Sequence, residues 1–163
     1  MAEDNFTLTT FYASWKEYQD HLRDTLSSLS AEQLALRAAP GLRSVGENAR
    51  HIIGCRIGWY TYTMGEDGSA YNLPGESWAE AGNVPNAAEL AQALDNTWRL
   101  MTDCLSRWSS ADMQKTFPDD WDGKPVELSR AWIVYHVLEH DLHHGGEVSL
   151  TLGMNGIQAE FAL

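Results

Sequence analysis

Three stretches that stand ahead of or between apolar helical runs place a small polar residue three positions before Gln or Glu: Ser30-Ala-Glu-Gln33, Ser44-Val-Gly-Glu47 and Asn86-Ala-Ala-Glu89. At that spacing the first side chain caps a backbone N–H of a new helical turn and the second reaches back to the cap, so each marks a helix start. The runs around these marks carry apolar residues at three- and four-residue steps, the period of one buried helix stripe. A first helix bears Phe11, Trp15, Tyr18, Leu22, Leu26 and Leu29, and Ser30 opens a fresh turn after it. A second starts at Ser44, after the turn Ala39-Pro40-Gly41, and runs to about Met64. One of its faces carries Val45, Ala49, Ile52, Ile53, Arg56 and Trp59, and the adjoining face carries Asn48, His51, Cys55 and Tyr62. A third opens at Asn86, with Leu90, Leu94, Trp98, Met101 and Leu105 in register.

A fourth helix is expected from about Ser129 to Leu152, ending at Gly153. Gly145-Gly146 interrupts it at about 1 kcal/mol per glycine relative to Ala, which calls for a kink or a close approach there. Gly65 to Pro85 is a long connection rich in Gly, Pro, Asn and Ser, and connections of this length are often functional. Phe117 to Pro125 is turn-rich, and Asp119–Gly123 reads as a short hairpin tip. No strong strand pattern occurs. The expectation is an all-α four-helix bundle, one domain over residues 1–163, with a long crossover between the second and third helices.

Composition narrows the partners. A formal charge of −12 opposes binding to nucleic acid or to an anionic membrane surface, and the eleven basic residues form no cluster in the sequence. No run approaches the ~20 apolar residues of a membrane span, and the first residues lack the basic start and apolar core of a secretory signal. The expected location is cytoplasmic, with Cys55 and Cys104 reduced. Cys104 reads as a small buried hydrophobe, while Cys55, four residues after His51, is left open.

Four of the six histidines fall within nine residues: His136-Val-Leu-Glu-His140-Asp-Leu-His143-His144. His140 and His144 stand one helical turn apart on one face, the spacing at which two imidazoles grip one ion. His51 on the second helix is placed to pack opposite. Several imidazoles packed together without a metal would leave unpaired polar atoms or competing charges in the interior. Three such ligands would leave part of a metal's coordination sphere open, the condition for catalysis rather than bracing. His21, beside Asp20 and Asp24, reads as a surface or structural histidine.

Two zinc-protease spellings overlap the run, and both fail. His136-Val-Leu-Glu139-His140 matches H-x-x-E-H, but that pattern needs a further carboxylate ligand well downstream, and 23 residues follow His140. His140-Asp-Leu-His143-His144 has Asp141 where H-E-x-x-H needs the longer Glu as general base. A di-iron bundle would need Glu-x-x-His pairs on two helices, and none is present.

Leu-Ser-Ala-Glu-Gln-Leu, Ala-Pro-Gly-Leu-Arg-Ser-Val-Gly-Glu-Asn-Ala-Arg-His51-Ile and Val-Leu-Glu-His140-Asp-Leu-His143-His144-Gly-Gly-Glu-Val together resemble the DinB/YfiT-like family over nearly the whole chain. The resemblance implies a four-helix bundle, commonly a homodimer, that holds one divalent metal ion, Zn or Ni, through His51, His140 and His144. It also implies a small-molecule substrate and an activity such as transfer or isomerisation that uses a low-molecular-weight thiol. The alternative is a non-catalytic metal-binding or stress-response bundle. The family's usual His-Arg-Gly-Gln reads His144-Gly145-Gly146-Glu147 here, so Gly replaces Arg and Glu replaces Gln. Glu147 then either reaches a ligand histidine or sits as a solvated carboxylate, while His136 and His143 read as supporting or surface groups.

Overall fold

The computed structural model describes residues 6–75, 78 and 85–159. Positions 76–77 and 79–84 of the long connection lie outside the described residues, as does the side chain of Trp121. Four long helices form the body: α1 (Phe6–Ser27), α3 (Val45–Ile57), α4 (Ala87–Arg107) and α5 (Arg130–Met154), with the short α2 (Ala31–Leu34) between the first two. α3 packs on α5, α1 on α4, and α3 on α4. No described helix is long and apolar enough to cross a membrane.

All three expected capping boxes are formed. Ser30, Ser44 and Asn86 each accept from the backbone N–H three residues on, while Gln33, Glu47 and Glu89 return a side-chain acceptor to the cap. Each closes two backbone donors that would otherwise go unpaired at a helix start. α3 does not stop at Ile57 but winds on through a π-helical segment, Gly58–Thr63, into Met64. Such wide turns recur where a helix re-aims side chains beside a site.

Two corrections concern local structure. Phe11 is 58% exposed, so the buried stripe of α1 begins at Trp15. The turn-rich stretch is a full hairpin: β1 (Thr116–Trp121) pairs antiparallel with β2 (Lys124–Ser129), Trp121 opposite Lys124. Asp122 and Gly123, with φ of 52° and 75°, make its two-residue turn, the left-handed pair that suits the twist of a tight hairpin. Pro118 and the acidic residues of β1 hide it from strand-propensity reasoning.

α5 runs unbroken through Gly145-Gly146, so the structure takes the close approach and not the kink. A Cβ on Gly145 would run into the Tyr18 hydroxyl and stand 2.8 Å from its Cζ, whereas one on Gly146 meets nothing within 4 Å. Tyr18 also donates to the Leu142 carbonyl at 3.3 Å. A side chain at 145 would require Tyr18 to move.

The core falls into two apolar clusters with a charged pair between them. One gathers Leu22, Leu26, Ile52, Ile53, Leu94 and Val148, and the other Trp15, Tyr60, Trp98, Met101, Ile133 and Val137. Arg56 and Asp141, 1% and 0% exposed, join α3 to α5 at this level, with Nη2 to Oδ2 at 2.7 Å. Trp15 Nε1 donates to the same carboxylate at 2.9 Å, and Arg56 Nη1 reaches Thr97 Oγ1 at 3.4 Å.

Candidate metal centre

The Ser44 cap fixes where α3 begins, and His51 follows almost two turns later on the edge facing α5. His140 and His144 rise one above the other on α5. The ring centroids stand 4.6 Å apart for His51–His140, 4.6 Å for His51–His144 and 4.3 Å for His140–His144. One nitrogen from each lies within 4.8 Å of the others, and the trio singled out in the sequence is thus brought together.

The detail is informative. Nε2 of His51 and Nε2 of His140 face each other at 3.0 Å. Two neutral imidazoles in that pose share at most one proton, and two nitrogens that close can both lie at the ~2.0–2.1 Å typical of a metal–histidine bond to one ion. Burial, with the neighbouring Arg43 and His144 adding to it, pushes His51 down to about 4. Burial and the surrounding histidines push His140 down to about 3. Both are therefore neutral near pH 7, the form that ligates. Nδ1 of His140 is buried with no hydrogen-bond partner.

His144 Nδ1 lies 2.8 Å from Glu147 Oε2. An ionised carboxylate only accepts, so the proton sits on Nδ1 and Nε2 is left with its lone pair for the cluster. The pairing holds the Glu147 carboxyl below the usual carboxylate range. Glu147 thus reaches His144 rather than standing as a solvated charge. Its other oxygen is 3.5 Å from Nε2 of exposed His143. His143, His144 and Glu147 also converge within 4.8 Å, but there His144 offers the nitrogen that Glu147 already occupies.

The remaining expected residues fall outside the trio. His136 stacks on Trp132 at 4.9 Å and stands edge-on to Trp59 at 5.3 Å, while its Nδ1 is 3.5 Å from Glu139. His21 is exposed. Cys104 is buried, as expected, and Cys55 is half-buried, its thiol pushed up by burial to about 12 and so kept protonated. Asp141, rejected as a general base on length, is turned away into the Arg56 pair. Sequence reasoning did not find that pair, because its partners are 85 residues apart.

An open cleft of about 740 Å³ reaches His51. Ile53, Gly54 and Ile57 of α3 line one side, Tyr62 of the π-helical segment adjoins, and Pro74, Gly75 and Trp78 bring in the long connection. A void of this size suits a small organic molecule.

The described residues thus form a helical bundle in which three imidazoles from two helices converge beside an open cleft, a group that could hold a metal ion. The sequence profile of the DinB superfamily matches residues 14–148, and the chain belongs to that superfamily. Seven chains of solved structures match. One is a DinB-like protein from Bacillus cereus ATCC 10987, similar with a TM-score of 0.71 at 22% identity, over 94% of this chain and 95% of that one. That likeness concerns the fold. No curated protein matches the sequence.

Proposed function

We propose that this protein is a divalent-metal-dependent enzyme that handles a low-molecular-weight thiol, with His51, His140 and His144 as the metal ligands. The observation that carries the reading is the 3.0 Å apposition of two neutral Nε2 atoms, completed by a third imidazole whose far nitrogen is held by Glu147. Nothing in ordinary packing favours three imidazoles with their ring nitrogens converging, and a shared ion removes the conflict. A divalent ion there supplies a full dipositive charge, against which a thiol or a water gives up its proton more readily.

The chain's own groups do the rest. Glu147 orients His144 and raises its basicity as a ligand. The cleft beside His51 admits the substrate and limits water around it, and Tyr62 and Trp78 offer apolar surface to its body. Burial keeps the Cys55 thiol protonated. The donor set of three nitrogens accommodates either Zn or Ni.

Elemental analysis of untagged protein, purified without a nickel column, tests the ligand set. The expected result is one divalent ion per chain, lost in His140→Ala. Absence of metal after incubation with Zn and Ni would remove the basis of the reading. Conjugation of glutathione, bacillithiol or mycothiol to a test electrophile then separates enzyme from binding protein. Failure of metal-loaded protein with all three thiols would leave a non-catalytic metal-binding bundle.

A further inference from the structure

Among its described lining residues, the cleft carries a charge opposite in sign to that of the molecule. The chain carries 23 acidic residues and eleven basic ones. Yet Arg37, Arg43 and Arg50 all line this one cleft, with Glu47 the single carboxylate among its described lining residues. Arg37 is bound to Glu47, Nη2 to Oε1 at 2.9 Å, so these two neutralise each other. Arg43 is exposed and has no carboxylate partner among the described residues. It lines the same cleft as His51.

A guanidinium with no carboxylate partner among the described residues, beside apolar walls, is suited to an oxyanion. The planar fork of Arg matches a carboxylate through two parallel hydrogen bonds, and a concave, partly apolar wall strengthens the field it sees. A phosphate dianion fits less well. The N-terminus of α3 is closed by its own Ser44–Glu47 box, so no row of free backbone N–H groups is offered, and the Glu47 carboxylate shares the wall. We infer that the cleft beside His51 seats a carboxylate-bearing small molecule, gripped by Arg43, so that substrate selection at this site is selection for an anion. This deepens the proposed thiol chemistry and rests on it only in taking the cleft to be the entrance to the reacting centre.

Titration of the full-length protein with succinate, succinamide and inorganic phosphate tests it, read by tryptophan fluorescence because Trp78 lines the cleft, and by calorimetry. Succinate is expected to bind saturably and more weakly as salt rises, and succinamide to show no saturation in the same range. Arg43→Gln should weaken succinate by about tenfold or more, the scale of a lost charge-assisted pair. Arg99→Gln, an exposed arginine on α4 outside the cleft, should leave it unchanged. Gly54→Leu is a second probe, since a Cβ there meets nothing within 4 Å and the side chain narrows the cleft without disturbing the fold. It should abolish saturation. The Arg43-dependent part of binding should persist in metal-free His140→Ala, and failure of the metal-loaded protein to conjugate any thiol while still binding succinate defeats the proposed reaction and leaves the anion site standing. Conjugation that survives Arg43→Gln with unchanged KM defeats the anion site alone. Absence of saturable succinate binding, equal binding of succinamide, or a preference for phosphate would each overturn the inference.

Discussion

The hydroxyl of Tyr18 on α1 occupies the space that a Cβ on Gly145 of α5 would need. The two glycines of the Gly145-Gly146 pair therefore have opposite consequences. Ala at 146 is exposed helix and should stabilise the protein by up to ~1 kcal/mol. Ala at 145 gains the same propensity but must displace a buried ring, and should destabilise by about 1–3 kcal/mol. Chemical denaturation of the two single variants reads the sign directly. Equal stabilisation by both would show that α1 and α5 do not meet this closely.

Asp141→Asn leaves the Arg56 guanidinium buried without its counter-charge and takes the ionic acceptor from Trp15. The expected loss is about 3–5 kcal/mol. Replacing both partners, Arg56→Met with Asp141→Leu, should recover much of that, because the desolvation of two charges disappears with them. A denaturant midpoint for each variant and for the double gives the coupling between the two sites. Purely additive losses would mean that the pair is not acting as a unit.

Much of this architecture is written locally. Capping boxes and helical stripes are spelled within a few residues, so the helix starts at Ser44 and Asn86 and the i, i+4 pair His140–His144 are legible without a fold. What escaped depends on partners distant in the chain. At Gly145 a kink and a close approach were both open, because Tyr18, which decides between them, lies on another helix. Asp141 looked like a defective catalytic base because Arg56 was not in view. The hairpin was legible only at its Asp122-Gly123 turn, since Pro118 and a run of acids give β1 no alternation to read. The cleft of arginines could not be read from a list in which Arg37, Arg43 and Arg50 look scattered.

Acid should loosen the metal-free protein in a defined window. His51 and His140 titrate near 6.5 when unfolded but at about 4 and about 3 when folded, because burial disfavours their charged forms. Below pH 6.5 the unfolded chain therefore binds these protons first, and stability falls as pH drops toward 4 and 3. Above pH 6.5 the two groups have no effect. The stretch from 6.5 to 4.5 lies above the ordinary carboxylate range and isolates the histidines. His140→Gln should flatten the stability–pH slope there, and an unchanged slope would contradict the assigned burial.

Glu147→Gln replaces an ionised acceptor by a weaker one. His144 keeps a hydrogen bond, so the fold should be unaffected. Affinity for Zn should fall by about 10-fold, the lower end of what a lost supporting carboxylate does to a histidine ligand. Competition against a chromogenic chelator measures it. Tighter binding in the variant would mean that the carboxylate opposes the site rather than supporting it.

The joint between hairpin and last helix has no slack. Ser129 ends β2 and at the same time caps α5, its Oγ accepting from Trp132 N at 3.2 Å. The next residue is clamped too: Arg130 N donates to the Lys115 carbonyl at 2.8 Å, and its guanidinium lies 4.3 Å from the Trp108 ring. One residue inserted here would turn everything downstream by about 100° and carry His140 and His144 off the face that meets His51. One inserted at Asp122-Gly123 would only lengthen a loop. Over evolutionary time, this lineage is free to gain and lose residues at the hairpin tip, while the seam at Ser129 must keep its count.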